Sequence, residues 1–326
     1  SLLYSPENYH FSTGKFSSSK NSIERFKKFV DKVVERSDVN TVADVGGNNE
    51  YFLRQMGDMF KQGFIIDPVL VNQDGSRIEN IEVIGNSIEN IDMRSINPDI
   101  VFCRHTLEHI AKPKKMLEQL LLECNDSCLF IFEIPDFDCL MESKRFDAIF
   151  HQHFNYFSLE ILSNLLKELG AEIISHEYNY QGSCGGALMF AFRKTNKKIN
   201  FVPTNIEEKI KRFDDNKKIF DIQMEILGQT LEACKQPIYG FGASLLLPTM
   251  AYNLRTDFSN LAGLMDDDDT KNGLSYANLP LTVTSTKNMS IQKDQCFLVT
   301  SMESMRPILQ RLMEFQPKKI LIPGYI

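Results

Sequence analysis

Between Ser19 and Arg36, the residues Ile23, Phe26, Phe29, Val30, Val33 and Val34 recur at the spacing that lines one face of a helix. The pattern then changes to short unbroken apolar runs. "TVADV" is closed by glycines, "GFIID" by Pro68, and "IEVIG", "DIVFC" and "SCLFIFEIP" follow. Helical stretches fall between several of these runs, including "EYFLRQMGDMF" and Lys114–Cys124. Continuous apolar strands alternating with helices predict a parallel sheet covered on both faces. "SLEILSNLLKELG" predicts a further helix, with Ser158 at its N-cap and Gly170 just past its end. "AEIISHEY" and "GALMFAFRK", joined by a glycine-rich turn, predict an antiparallel hairpin at the sheet edge.

A long helical pattern runs from Asn205 to Lys235, with Ile210, Phe213, Ile219, Phe220, Ile222 and Ile226 as its apolar positions. A second strand–turn–helix series begins at "QPIYGFGAS" and ends at "KKILIPG". It is too short for a full dinucleotide-binding domain and matches a compact half of one. The predicted class is therefore α/β with four parts. These are an N-terminal arm and helix over 1–36, a Rossmann-like domain over 37–203, a connecting helix over 204–235 and a smaller Rossmann-like domain over 236–326.

Composition narrows the function. The chain has 326 residues, more than one core usually supports, which agrees with two domains. Its net charge of −7 argues against nucleic acid or an anionic membrane as a partner, since both need basic stripes. Seven scattered cysteines, with no signal-peptide pattern, imply reduced thiols and a cytoplasmic setting. Cys124 and Cys128 are four apart, but no second pair completes a zinc set.

Candidate chemistry gathers first at "VADVGGNNEYF". A strand ending in glycines before a helix leaves backbone N–H groups facing a ligand, here at Asp44, Gly46, Gly47 and Asn48. Asp67, closing the next strand, is placed to accept hydrogen bonds from ribose hydroxyls. The dinucleotide fingerprint G-x-G-x-x-G is absent.

Asp44-Val45-Gly46 resembles the acidic-x-Gly opening of class I S-adenosylmethionine methyltransferases, and "FIIDPV" and "PDIVFCRHTLEHI" resemble their later motifs. More narrowly, the chain resembles the nucleotide-sugar C-methyltransferases acting on 4-keto deoxysugars. The likeness lies in "DVGGNNEYF", "FEIPDFDCLMESKRFDAIFHQHFNYFSLEIL", "QGSCGGALMF", "YGFGAS" and "MDDDDTKNGLSYANLPLTV", in the family's order. It implies S-adenosylmethionine as cofactor, with Asn86, Ser87, Arg104 and His105 joining the turn around it, and His109 packing or capping. It also implies a nucleotide-sugar substrate, met by Tyr156, Gly185 and Gly186 and, in the second domain, by Gly240, Gly242, Ser244 and Asp266.

Three departures stand out. The family's cysteine-rich zinc module has no counterpart in these residues. The last glycine of its cofactor turn is Glu50 here, and its Tyr-His-Glu-His is Phe150-His151-Gln152-His153. His153 thus becomes the expected base, with His151 and Gln152 beside the substrate and Tyr9 as the residue that could restore a phenol. If the stretch is extended, His151 and His153 share one face. No third or fourth ligand near them supports a metal. C-methylation needs a proton removed beside a ketone, which a neutral imidazole can accept. O-methylation of a sugar, or sugar-nucleotide binding without catalysis, are the alternatives, and the oligomeric state stays open.

Overall fold

The structure is a computed structural model that describes residues 17–35, 39–197, 201, 204–289 and 293–324. Tyr9 lies outside the described residues. The chain divides into two compact units, one of residues 1–137 and 151–204, the other of residues 138–150 and 205–326. The long helix predicted as a connector falls in the second unit. Among the described residues no helix is long and apolar enough to cross a membrane.

In the first unit the chain runs α1 (Ser17–Val33), β1 (Thr41–Val45), α2 (Tyr51–Met56), β2 (Gln62–Ile66), β3 (Arg77–Ile78), β4 (Ile81–Ile84), α3 (Met93–Ile96), β5 (Ile100–Arg104), α4 (Pro113–Glu123) and β6 (Leu129–Pro135). After α5 (Phe137–Glu142) has led into the second unit, the first is completed by α6 (Leu159–Glu168), β7 (Ala171–Asn179) and β8 (Ala187–Lys194). The eight strands form one sheet in the order β3-β4-β2-β1-β5-β6-β8-β7. Strands β4, β2, β1, β5 and β6 are parallel, and the β7–β8 hairpin closes the edge antiparallel. Chain order reverses across β1, so the C-terminal ends of β1 and β5 form the crevice where such sheets bind ligands.

Local sequence explains the elements. Helix α4 begins at Pro113, whose missing N–H costs nothing in a first turn, and it buries Met116, Leu117, Leu120 and Leu121. Gly170 takes a left-handed φ of 73° just after α6, the conformation a helix end favours. Ser158 holds the N-cap position of α6 without a side-chain cap bond. Helix α2 is shorter than its apolar pattern predicts, because Gly57 turns left-handed at φ 58° and ends it.

Helix α1 buries Ile23, Phe26, Phe29 and Val30 against one side of the sheet, as its spacing predicts, and Val34 just past its end is buried with them. Phe26, Phe52 and Phe102 meet edge to face at 5.2–6.3 Å. Beside them lies a buried ion pair. Arg104 Nε and a terminal nitrogen both bond Glu133 Oε2, at 2.9 and 2.6 Å, while the guanidinium carbon stands 4.9 Å from the Phe26 ring and 5.2 Å from that of Phe52. Ser22 Oγ of α1 donates to Glu133 Oε1 at 3.3 Å.

The second unit holds α7 (Ile206–Ala233), β9 (Ile238–Phe241), α8 (Leu247–Leu254), β10 (Leu261–Asp266), β11 (Val283–Ser285), β12 (Cys296–Val299), α9 (Met305–Glu314) and β13 (Lys319–Leu321). Its sheet is wholly parallel in the order β11-β10-β9-β12-β13, a doubly wound arrangement of five strands. The predicted apolar positions of α7 match the face it buries only at Phe220. Phe220, Met224, Leu227 and Leu231 are buried, whereas Ile210, Ile219, Ile222 and Ile226 are exposed. The spacing of 220, 224, 227 and 231 traces one continuous stripe, and most of the isoleucines fall off it.

Removing one partner of a buried ion pair leaves an uncompensated charge at a cost of about 3–5 kcal/mol. Glu133→Ala is expected to lose that much stability in urea denaturation. Ser22→Ala, which removes a hydroxyl that donates to Glu133 and accepts from Arg104, is expected to lose less, about 1.5–3 kcal/mol. Equal losses would show that the ion pair does not anchor this side of the sheet.

Candidate functional site

The turn after β1 sits at the crevice. Gly46 has a φ of 75°, and a Cβ there would stand 2.0 Å from Thr106 Oγ1, so only glycine fits between the turn and the loop after β5. A Cβ on Gly47 would come within 2.6 Å of Asp44 Oδ2. Asn48 is left-handed at φ 62° and donates its N–H to Asp67 Oδ2 at 3.0 Å, while Asp67 Oδ1 accepts from Val69 N at 2.9 Å. Asp67, expected to face a ribose, thus also braces the turn, although a carboxylate keeps lone pairs beyond the two used. Burial pushes its carboxyl upward, against the pull of the Val69 and Asn48 N–H groups. Glu50 has an ordinary right-handed φ of −72°, so the backbone there does not demand the glycine that the resemblance led one to expect. Asn86 is exposed, and its Oδ1 accepts from Ser87 N and from Asn90 Nδ2.

Arg104 was expected at the cofactor, but its guanidinium is turned into the core toward Glu133 and the two phenylalanines. His105 follows in a left-handed conformation, φ 49°, fixed by its N–H to Glu133 O at 2.8 Å. Such a conformation costs about 1–3 kcal/mol for a residue other than glycine and tends to occur at functional sites. His105 Nδ1 lies 3.6 Å from Glu108 Oε1 and its Nε2 3.7 Å from Glu133 Oε2. Burial works to lower the His105 pKa, yet the two carboxylates together raise it.

Glu108 is the residue that sequence reasoning missed. Its side chain is buried at 2% exposure and stands between histidines, with Oε1 3.6 Å from His105 and 3.9 Å from His109 Nε2. Burial works against its charge, but the neighbouring imidazoles hold its pKa below the ordinary value. The "H-T-L-E-H" spacing is the signal, since a single turn at Leu107–His109 is enough to set His105 and His109 about one carboxylate.

The histidine segment is clasped onto this loop. Phe154 N and Asn155 N donate to Glu108 O at 2.9 and 3.2 Å, and Asn155 Nδ2 donates to Ile110 O at 2.7 Å. His109 Nδ1 donates to Gln152 O at 2.9 Å. Residues 151 and 152 form a turn rather than a strand, so the shared face expected for His151 and His153 does not form: His151 is exposed and His153 half-buried. The rings of His109 and His153 meet at 4.8 Å, and Tyr156 lies 6.0 Å from His153 and 5.8 Å from Phe137. Burial pushes the His153 pKa down to about 4, Glu108 opposing and His109 and His105 assisting, so its ring is neutral at neutral pH. On the hairpin, Gly185 and Gly186 have φ of 91° and 149°, and Gly186 O accepts from Asp136 N just past β6. They therefore stand at the same end of the sheet as the histidine loop.

In the second unit, Gly242 takes φ 103° and packs where a Cβ would meet Ile308 and Ser301 at 2.7 and 2.8 Å. A Cβ on Gly240 would lie 3.0 Å from Leu264. The N–H after this turn, on Ala243, goes to Asp266 Oδ2 at 2.7 Å, and Ser244 O accepts from the Tyr276 hydroxyl at 2.8 Å. Lys271 Nζ bonds Asp266 Oδ2 at 2.8 Å. Asp267 bonds Thr286 and Arg311, Asp268 caps Thr270, and Asp269 pairs with Lys287. These acids thus bond the turn after β9, the segment after β11 and helix α9 as well as their own loop.

Residues 19–176 match the profile of a family described as a methyltransferase domain. The C-methyltransferase NovU of Streptomyces niveus is 27% identical over 178 residues, covering 52% of this chain but only 42% of that protein. The 1,6-didemethyltoxoflavin-N1-methyltransferase of Burkholderia thailandensis aligns at a TM-score of 0.44, with 13% identity over 54% of this chain and 79% of its own. The N-methyltransferase NodS of Bradyrhizobium japonicum aligns at 0.43, with 11% identity over 56% of this chain and all of its own. Residues 19–176 form a class I S-adenosylmethionine-dependent methyltransferase domain.

Within this methyltransferase domain, the acid that opens the glycine turn has a measurable signature. Burial pushes the Asp44 carboxyl from an ordinary 3.8 up to about 7, Arg104 opposing and Asp67 assisting. The folded protein then keeps a proton that the unfolded chain has released, so stability falls as pH rises from about 4 to about 7 and levels off above. Asp44→Asn removes that loss, which is on the order of 4 kcal/mol. Thermal melts across this range are expected to show wild type falling steadily below the variant. Parallel curves at every pH would show that Asp44 is not held protonated.

Proposed function

We propose that the chain transfers a methyl group from S-adenosylmethionine to a nucleotide-linked deoxysugar, at the carbon beside a ketone. The observation that carries this reading is a continuous path of contacts. Gly46 abuts Thr106, two residues on lies Glu108, and the Glu108 carbonyl holds the backbone of 154 and 155. His153 therefore belongs to the same strand ends as the cofactor turn. The likeness of the histidine stretch to the nucleotide-sugar C-methyltransferases supports the acceptor class, as does the match to NovU.

When bound, S-adenosylmethionine supplies a methyl group on a sulfonium. The glycine turn fits its adenosyl part, because Gly46 and Gly47 leave the backbone bare of side chains and Asp67 keeps lone pairs for a ribose. Asp44 lies under that turn, with Asn86, Ser87 and His105 on neighbouring strand ends. His153, with its ring neutral, accepts the proton that leaves the acceptor carbon. Gln152 orients rather than reacts, since an amide cannot take a proton at neutral pH. Its carbonyl fixes His109, and Tyr156 gives the acceptor an aromatic wall with a hydroxyl. Gly185 and Gly186 let a sugar ring approach the backbone. In the second unit, Gly240, Gly242, Ser244 and Asp266 are the residues assigned to the nucleotide, although Ser244 and Asp266 already bond Tyr276, Ala243 and Lys271.

His153→Ala is expected to cut turnover of a keto-sugar nucleotide at least about tenfold. The decisive experiment incubates wild type with that substrate in heavy water and reads deuterium at the carbon beside the ketone by NMR. Incorporation that His153→Ala abolishes supports proton removal at carbon. Methyl transfer without incorporation would point instead to O-methylation.

A further inference from the structure

We infer that Glu108, His109 and His153 form a binding site for one divalent transition-metal ion of the zinc class. One oxygen or nitrogen from each residue lies within 4.8 Å of the others. Two imidazoles and a carboxylate are the donor set that zinc and its neighbours in the transition series prefer. On such an ion the donor atoms stand about 3.3 Å apart, so side-chain rotations must draw them in by roughly 1–1.5 Å.

Two further observations point to a ligand. Glu108 is buried at 2% exposure, and its Oε2 has no hydrogen-bond partner among the described residues. Leaving a buried carboxylate oxygen unpaired costs about 1–3 kcal/mol or more, and a cation in the cluster would remove that cost. The second is the orientation of His109. Because the Gln152 carbonyl can only accept, the ring proton sits on Nδ1, and Nε2 presents its lone pair toward Glu108 Oε1 at 3.9 Å. A ring N–H donated to a backbone carbonyl is the support that metal-binding histidines nearly always have. His105 Nδ1 stands 3.6 Å from the same carboxylate oxygen.

The sequence hides this set, because Glu108 and His109 lie 45 and 44 positions from His153 and their meeting depends on the Asn155 clasp. Three protein donors leave positions open for an acceptor, as in catalytic rather than structural sites. An ion there would place positive charge beside an acceptor oxygen. It would also take up the His153 lone pair that proton acceptance needs, so the two roles belong to different states of loading.

The test is calorimetric titration of chelator-treated protein with zinc chloride, without cofactor or substrate. Wild type is expected to bind one ion per chain with micromolar affinity or better. Glu108→Gln and His153→Ala are each expected to weaken that at least tenfold, with folding checked by circular dichroism. Cys124→Ser, which removes a thiol outside the site, is expected to leave it unchanged. No binding by wild type, or binding that both variants retain, overturns the assignment. Loss on Cys124→Ser alone would move the ion to the thiols and overturn it equally. Since no substrate is present, failure of the proposed reaction would leave this result standing, and the reverse.

Discussion

The buried pair of Arg104 and Glu133 is the constraint on which the first unit turns. Two charges at the ends of adjacent parallel strands are taken out of water, which is tolerable only with good geometry and further hydrogen bonds. Both are present: two guanidinium nitrogens reach one carboxylate oxygen, and Ser22 of α1 reaches the other. The pair also decides where the chain goes next. With Arg104 drawn inward, the loop that follows must turn sharply, and His105 does so in a left-handed conformation held by the Glu133 carbonyl. Thr106, Glu108 and His109 take their places from that turn.

The strand ends consequently carry a concentration of buried acid. Asp44, Asp67, Glu108 and Glu133 are each less than a tenth exposed, and Arg104 is the guanidinium that answers them. Burial holds Asp44 toward its protonated form, while the histidines around Glu108 keep that carboxylate charged. The carboxylate charge that remains at this end of the sheet suits a positively charged sulfonium, whose attraction grows where water is excluded. The same charge, focused by imidazoles, suits a metal ion a few residues further on.

Much of the fold was legible because the parallel strands are unbroken apolar runs and their connecting turns carry Gly or Pro. Helix α1 was legible for a similar reason, its buried face being plain in the spacing of Ile23, Phe26 and Val30. Helix α7 was not, since isoleucines at 210, 219, 222 and 226 drew attention away from the stripe through Phe220, Met224, Leu227 and Leu231 that packing selects. The strand–turn–helix pattern that holds Asp44, Gly46 and Asp67 was legible because it is local. Arg104 could not, because whether its side chain faces ligand or core depends on Glu133 across the sheet. Glu108 was missed for the same reason: its meaning comes from His153, far along the chain.

The central claim is that the turn at Gly46 holds S-adenosylmethionine. Calorimetric titration of the purified chain with that cofactor tests it most directly, with Gly46→Val as the control that fills the turn. One site of micromolar affinity is expected in the native chain and none in the variant. Native protein that takes up no cofactor at millimolar concentration, or a variant that binds as well as the native chain, would contradict it.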